Sequence, residues 1–563
     1  MKSNHFDAIV IGSGISGGWA AKELTENGLK TLVLERGRDV RHLEDYPTAH
    51  HDIWQFDHRN QLSNQMKEEN PIASKCYAFK EDAMHFFTKD KEQPYIQEKP
   101  FDWIRGYQVG GKSLTWARQV QRWSDFDFEG PARDGFAVDW PIRYKDIAPW
   151  YSHVERFIGV SGNKDGVSAM PDGEFLPAFE MNAVEKVIQK SIQSAYADRH
   201  VIPGRCAHIT KPTELHVMQG RGVCQARSLC QRGCPYGGYF SSNASTLPWA
   251  EKTGHLSLIP NSIVESILYD EEKNRAIGVR VMDAETQKTN EYFARIIFVN
   301  ASTIATNQIL LNSTSRRFPN GLGNDSGLLG KYIAFHNYMG TLGGTIEGFE
   351  DTYYYGRRPT QPIIPNFRNV THQETDFLRG YASFFNAHRR RGAEVPEDTL
   401  GGTYKDSLTE LGGWGVGMMM QGETIPKEEN HVRLSDTEKD PHGIPQMVIS
   451  VGYDDNDYAS TQDFLDQGAE MLEAAGVKNI YTNFNKAQNP GLDIHEMGGV
   501  RMGKDPKTSL LNAHNQLHSC PNVFVTDGAS MTSTGSQNPS LTFMALTARA
   551  VNFAVEELKK RNL

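Results

Sequence analysis

The sequence has no run of eighteen or more apolar residues, so no segment of it is expected to cross a membrane as a helix. It also has no basic tract. Its 69 aspartates and glutamates outnumber its 59 lysines and arginines, for a net charge of −10. That balance argues against nucleic acid and anionic membrane surfaces as partners. Cysteine is scarce, at six residues in 563. A disulfide framework is disfavoured, because three of the six share one loop and would leave one over. No cleavable signal is expected either, because Lys2 is followed almost at once by an apolar run that ends in a glycine turn. The cytoplasm is the default compartment; export to the periplasm already folded, with a partner carrying the signal, is the other. The chain is too long for one compact unit, and two intertwined domains are expected.

What the sequence does have is glycine, 51 residues of it, placed at telling positions. Phe6-Asp7-Ala8-Ile9-Val10-Ile11 is a short apolar run that breaks into Gly12-Ser13-Gly14-Ile15-Ser16-Gly17. A helical pattern follows, then a second apolar run, Thr31-Leu32-Val33-Leu34, ending in Glu35 and Arg36. Strand, glycine turn, helix, strand and acid together form a dinucleotide fingerprint. Gly12 permits the tight turn, Gly14 lets the backbone approach a pyrophosphate, and Gly17 lets helix and strand pack closely. The helix N-terminus faces the phosphates with unpaired N–H groups. Glu35 stands where a carboxylate can accept bonds from ribose hydroxyls. A fingerprint at the extreme N-terminus favours resident FAD over exchangeable NAD.

Residues 38–100 are polar and irregular and are expected to cover the cofactor. Val109-Gly110-Gly111-Lys112-Ser113 offers a second close backbone approach. Helices are expected over 140–160, 183–198 and 541–558, and strands across 256–299, followed by a helix over 303–311. Gly412–Gln421 reads as sheet. In the loop at 220–240, Cys224, Cys230 and Cys234 precede Pro235 in the pattern C-x5-C-x3-C-P. Three soft ligands on one loop suit iron–sulfur; zinc and buried free thiols are the competing readings. Near the C-terminus, His495 sits in a glycine-rich bend, where Glu496 is either an orienting acid or a solvated neighbour. A strand then ends in Asp527-Gly528, and Asn538-Pro539 opens the last helix.

These blocks together resemble the glucose–methanol–choline (GMC) family of FAD-dependent alcohol oxidoreductases. The likeness runs from the N-terminal fingerprint through Val109-Gly110-Gly111, Val264, Ala301 and His495 to Asp527-Gly528 and Asn538-Pro539, closely at both ends and loosely between. It implies an α/β fold: a Rossmann-like FAD-binding domain interleaved with a second, sheet-containing substrate domain. On that basis 1–45, 100–135, 200–335 and 485–563 are assigned to the first, and 46–99, 136–199 and 336–484 to the second. FAD would be held by Gly12, Gly14, Ile15, Ser16, Gly17, Glu35, Arg36, Gly110, Gly111, Ser113, Val264, Ala301, Asp527, Gly528, Asn538 and Pro539. His495 falls on the family's catalytic base and Asn538 on its second catalytic position, where Asn looks like the pyranose oxidase and sugar dehydrogenase branch.

The cysteine loop is similar to the one that binds a 3Fe-4S cluster in catalytic subunits of bacterial FAD glucose and fructose dehydrogenases. The resemblance thus makes Cys224, Cys230 and Cys234 cluster ligands. Some pyranose oxidases attach FAD to a histidine where this chain has Thr115, so the FAD is expected to be non-covalent. The implied substrate is a sugar or glycoside with a glucose-type ring, as in glucoside 3-dehydrogenases. The implied acceptor is cytochrome c or a small partner subunit rather than NAD. Two rival readings remain: a pyranose-oxidase-like enzyme that uses O2, and a non-catalytic FAD-binding protein with a zinc loop.

Overall fold

The structure is a computed structural model that describes residues 4–352, 358–391 and 399–563. Residues 353–357 and 392–398, within the stretch 336–484 assigned above to the second domain, lie outside the described residues.

The first apolar run forms β1 (His5–Ile11), the glycines turn the chain, and α1 (Ile15–Glu26) leads back to β2 (Thr31–Leu34). β1 pairs in parallel with β2 on one side and with the strand Thr289–Val299 on the other. Leu256–Ile259 extends the sheet beyond β2, and Cys520–Val525 extends it beyond Thr289–Val299, both in parallel. Ala8, Ile9 and Val10 are fully buried. A parallel strand covered on both faces reads as a continuous apolar run, which is why no alternation is seen there. α1 packs on the final helix, Ser540–Lys559. The expected hairpin forms from Ser262–Asp270 and Arg275–Asp283 and joins Thr289–Val299 along its edge.

The second sheet has six strands, antiparallel throughout its described pairings. Leu411–Glu423 lies at its centre, between Tyr381–Arg391 and Gly340–Ile346, and the short strand His336–Asn337 pairs with its end. The helix Asp455–Ala474 covers this sheet, burying Phe464, Leu465, Met471 and Leu472. Among the described residues no helix is long and apolar enough to cross a membrane.

A buried charge cluster ties the helix Asp125–Asp134 to the second sheet. Arg379 donates to Glu423 at 2.7 Å, to Asp134 at 3.0 Å and to the carbonyl of Phe126 at 3.0 Å, and Asp127 lies 3.9 Å away. Arg379 is 1% exposed, so its removal strands buried carboxylates. We expect Arg379→Leu to cost on the order of 3–5 kcal/mol. A thermal melt that stays at the wild-type midpoint would refute this.

Candidate active site

The carboxyl ends of the parallel strands open into one cavity of about 2050 Å³. Pockets for drug-sized ligands span about 300–1,000 Å³, so this space admits a dinucleotide and a substrate together. Of the residues expected to hold FAD, Gly12, Gly14, Ile15, Ser16, Glu35, Arg36, Gly111, Ser113, Val264, Ala301, Asp527, Gly528, Asn538 and Pro539 line it. Gly17 and Gly110 are not among the lining residues; they stand behind the wall and shape it. A Cβ at Gly17 would collide with the carbonyl of Gly12, and one at Gly110, where φ is +87°, would collide with the side chain of Asn243.

The cavity fits the cofactor that the fingerprint calls for. A Cβ at Gly14 would meet nothing within 4 Å, leaving open space in front of the turn. No side chain caps α1, whose first residues form the wall, so its N–H groups are free to take an anion. Asn300 Nδ2 and Glu496 Oε1, both on wall residues, are buried without a partner. Glu35 has partners within the protein. Its Oε2 accepts from the Ser13 N–H and hydroxyl at 3.1 and 2.6 Å, and its Oε1 from Gly37 N–H at 3.0 Å. It braces the glycine turn from the cavity wall, and burial raises it above the ordinary glutamate range. Thr115 also lines the cavity.

His495 and Asn538 meet in this wall, with Asn538 Nδ2 3.3 Å from His495 Nε2. Burial holds His495 well below the usual histidine range, and His336 and Lys112 push it the same way. The ring is therefore a neutral, available base at neutral pH. Sequence reasoning missed His336. It is fully buried on the second sheet, and its Nδ1 lies 2.9 Å from His495 Nδ1. No local motif marks it, and 159 residues separate the two histidines. Glu496 does not orient the base: it is buried, with Oε2 3.4 Å from Lys112 Nζ. Gln119, Asn182, Gln361 and Asn386 line the same cavity beside Phe384 and Trp414. Amides beside aromatic faces suit a polyhydroxylated ligand.

Cys224, Cys230 and Cys234 do not line that cavity. They share a second, small pocket with His208 and Tyr239, and Cys230 Sγ is 3.9 Å from His208 Nε2. The intervening residues 225–229, together with Gln231 and Arg232, line the large cavity, so this loop is a wall between the two spaces. Among the described residues, the group of three ligand atoms all within 4.8 Å of one another is His336, Asp493 and His495; the thiols form none. They are thus not gathered around a single ion. Two buried arginines flank them. Arg118 has Nε and Nη1 unpartnered, and Arg221 has Nη2 unpartnered. Among the described residues neither has a carboxylate partner. Cys76, Cys206 and Cys520 are buried, and Cys206 lies close enough to Cys224 and Cys230 to couple with them electrostatically.

Two family profiles, both described as GMC oxidoreductase, match residues 7–336 and 426–547. The 2-methyl-1,2-propanediol dehydrogenase of Mycolicibacterium austroafricanum is 28% identical, over 97% of this chain and 94% of that protein. The fructose dehydrogenase large subunit of Gluconobacter japonicus is 25% identical over 98% of both. The paromamine 6'-oxidase of Streptomyces fradiae is 25% identical, over 99% of this chain and 92% of that protein. The crystal structure of pyridoxine 4-oxidase from Mesorbium loti superposes with a TM-score of 0.58 at 15% identity, covering 97% of this chain and 98% of that one, and shows a shared fold.

The geometry makes Gly110→Ala a test of the cavity wall. A left-handed conformation costs a residue with a Cβ about 1–2 kcal/mol, and the collision with Asn243 adds to it. We expect the variant to lose bound flavin, read as the ratio of flavin to protein absorbance. Full flavin content would show that the turn tolerates a side chain.

Proposed function

The chain belongs to the GMC oxidoreductase family, and we propose that it oxidises a secondary alcohol of a sugar or glycoside, with His495 as base and a 3Fe-4S cluster as the electron exit. The observation that carries this reading is the meeting of His495 and Asn538 in the wall of a cavity large enough for dinucleotide and substrate. FAD, the family's cofactor, supplies the hydride acceptor when bound, held by the residues around Gly12–Ser16, Glu35, Gly111 and Asp527-Gly528. His495 Nε2 takes the hydroxyl proton. Asn538 Nδ2 holds the same oxygen and so aligns the carbon to be oxidised. The amide-lined end of the cavity receives the ring's other hydroxyls. Relatives named for fructose, paromamine and a propanediol support a polyol substrate without choosing the carbon.

The cluster reading rests on charge. A buried arginine without an anion is costly, and two such arginines stand beside the cysteine pocket. Cluster-bound thiolates would supply the missing negative charge. Burial pushes the Cys224 thiol up to about 11, so without a ligand Cys224 itself brings no negative charge to the arginines. The loop walls the flavin cavity on one side, while Val223 and Tyr236 beside it are exposed, at 38% and 42%. That exposed edge is the docking place we assign to a cytochrome c or small partner subunit. The name of the fructose dehydrogenase large subunit supports a partner of the second kind. Relatives named as oxidases favour direct use of O2 as the second reading.

His495→Ala should retain flavin and lose turnover by on the order of 10²–10⁴-fold with a dye acceptor, the usual contribution of a positioned base. Near-native turnover at neutral pH would remove His495 from the mechanism. Cys230→Ser should lose iron and reduction of cytochrome c while keeping some reduction of small dyes. Equal loss with every acceptor, tracking a lower melting temperature, would mean the loop only staples the fold. Wild-type protein prepared without oxygen, with full flavin and no iron, would end the cluster reading.

A further inference from the structure

His336 Nδ1 and His495 Nδ1 lie 2.9 Å apart, with the rings at 85°. Two ring nitrogens at that distance share one hydrogen: one donates and the other accepts. The far side of His336 decides which. Its Nε2 lies 2.5 Å from the carbonyl oxygen of Gly535. A carbonyl only accepts, so this Nε2 carries a hydrogen. Burial holds His336 down at about 4, so the ring is neutral and has one hydrogen to place. Its Nδ1 is therefore bare. The shared hydrogen belongs to His495 Nδ1, and His495, neutral as well, is left with a bare Nε2.

The opposite end of the network leads to the same assignment. Gln421 Nε2 donates to the carbonyl of Ser536 at 2.8 Å, and the same nitrogen reaches Asn538 Oδ1 at 3.5 Å. With its oxygen turned to Gln421, Asn538 presents Nδ2 to His495 Nε2 at 3.3 Å. An amide N–H requires a lone pair at that nitrogen. Two consecutive backbone carbonyls, Gly535 and Ser536, thus set the direction of the whole chain from its two ends. Among the described residues no carboxylate hydrogen-bonds either ring. Asp493 accepts the backbone N–H groups of His336 and His495 at 3.0 and 3.1 Å, and Glu496 faces Lys112.

We propose that His336 is a positioning residue: by accepting from His495 Nδ1 it holds His495 in the tautomer whose Nε2 lone pair faces the substrate hydroxyl. The proposal rests on the reading of His495 as base. The bond change assigned to the pair is the transfer of the hydroxyl proton to Nε2. The imidazolium so formed keeps its Nδ1–H on His336, which shares the charge in place of the carboxylate that many histidine bases use.

Holoenzyme labelled with ¹⁵N on histidine tests this, the His495 ring signals being those absent from His495→Ala. In the wild type at neutral pH, Nε2 should resonate as a bare ring nitrogen and Nδ1 as a protonated one. His336→Leu should erase that distinction and lower turnover with a sugar or vicinal diol and a dye by about 10²–10⁴-fold, the range seen when a base loses its orienting partner. His336→Asn, whose amide oxygen reaches the place of Nδ1, should keep the distinction and stay within about tenfold of wild type. Flavin content and melting temperature are read on each variant; if His336→Leu fails to load flavin, the wild-type signals and His336→Asn decide. A wild-type His495 protonated on Nε2 overturns the proposal, as does His336→Leu with unaltered signals and turnover. If His495→Ala itself turns over normally, the base reading falls while the tautomer assignment still stands or falls on the spectrum.

Discussion

The whole site depends on the close meeting of strand ends beneath the glycine turn. Gly12 N–H donates to Leu34 O at 2.8 Å, and Asn300 N–H donates to Ile11 O at 2.9 Å. The Asn300 side chain then accepts from Thr526 N–H and its hydroxyl, at 3.3 and 2.8 Å. These contacts join the ends of β1, β2, Thr289–Val299 and Cys520–Val525 in one plane. They are possible only because Gly12 has no side chain, since a Cβ there would collide with the carbonyl of Asn300. In open parallel sheets ligands sit outside the carboxyl ends of the strands, and this meeting defines that edge.

The turn that carries the base is built on the same edge. Gly498 N–H donates to Gly528 O and Val500 N–H to Ala529 O, both at 2.9 Å. The residues after His495 thus continue the turn that follows Cys520–Val525. From the other side, Met497 and Ala334 exchange backbone hydrogen bonds, and Asp493 holds the backbone of His336. His495 therefore sits where the two sheets join. A side chain at such a joint is positioned relative to both sheets by backbone bonds and by the Asp493 carboxylate.

What the sequence made legible was what is local. The fingerprint, the Val109-Gly110-Gly111 turn, Asp527-Gly528 and Asn538-Pro539 each place backbone features within a few residues, and spacing alone carries that information. His495 stood out because it lies in a glycine-rich bend. The residues that direct it did not. His336 and Gln421 come from separate strands of the second sheet, and their effect arises through two carbonyls far along the chain. Arg118 and Arg221 read as ordinary charged residues in a polar stretch, and only burial without a carboxylate singles them out. Glu35 shows the converse: spacing places it on the cavity wall, while its bonds to Ser13 and Gly37 are not legible from spacing. Sequence spacing locates a side chain more readily than it names its partner.

The two unusual polar groupings sit on different walls of one cavity, and their charges differ in kind. Around the base the groups are neutral: two histidines, an asparagine and a glutamine, linked through backbone carbonyls. A proton arriving there creates a new positive charge in a buried setting that Lys112 already opposes, so the charge has to be spread through hydrogen bonds. Around the cysteine loop the reverse holds. Two positive charges are already buried, and an arginine cannot shed its proton to relieve them. An anionic group would lower the energy there. On the proposed reading, the proton and the electrons of one alcohol leave through different groups of residues, each electrostatically suited to what it receives.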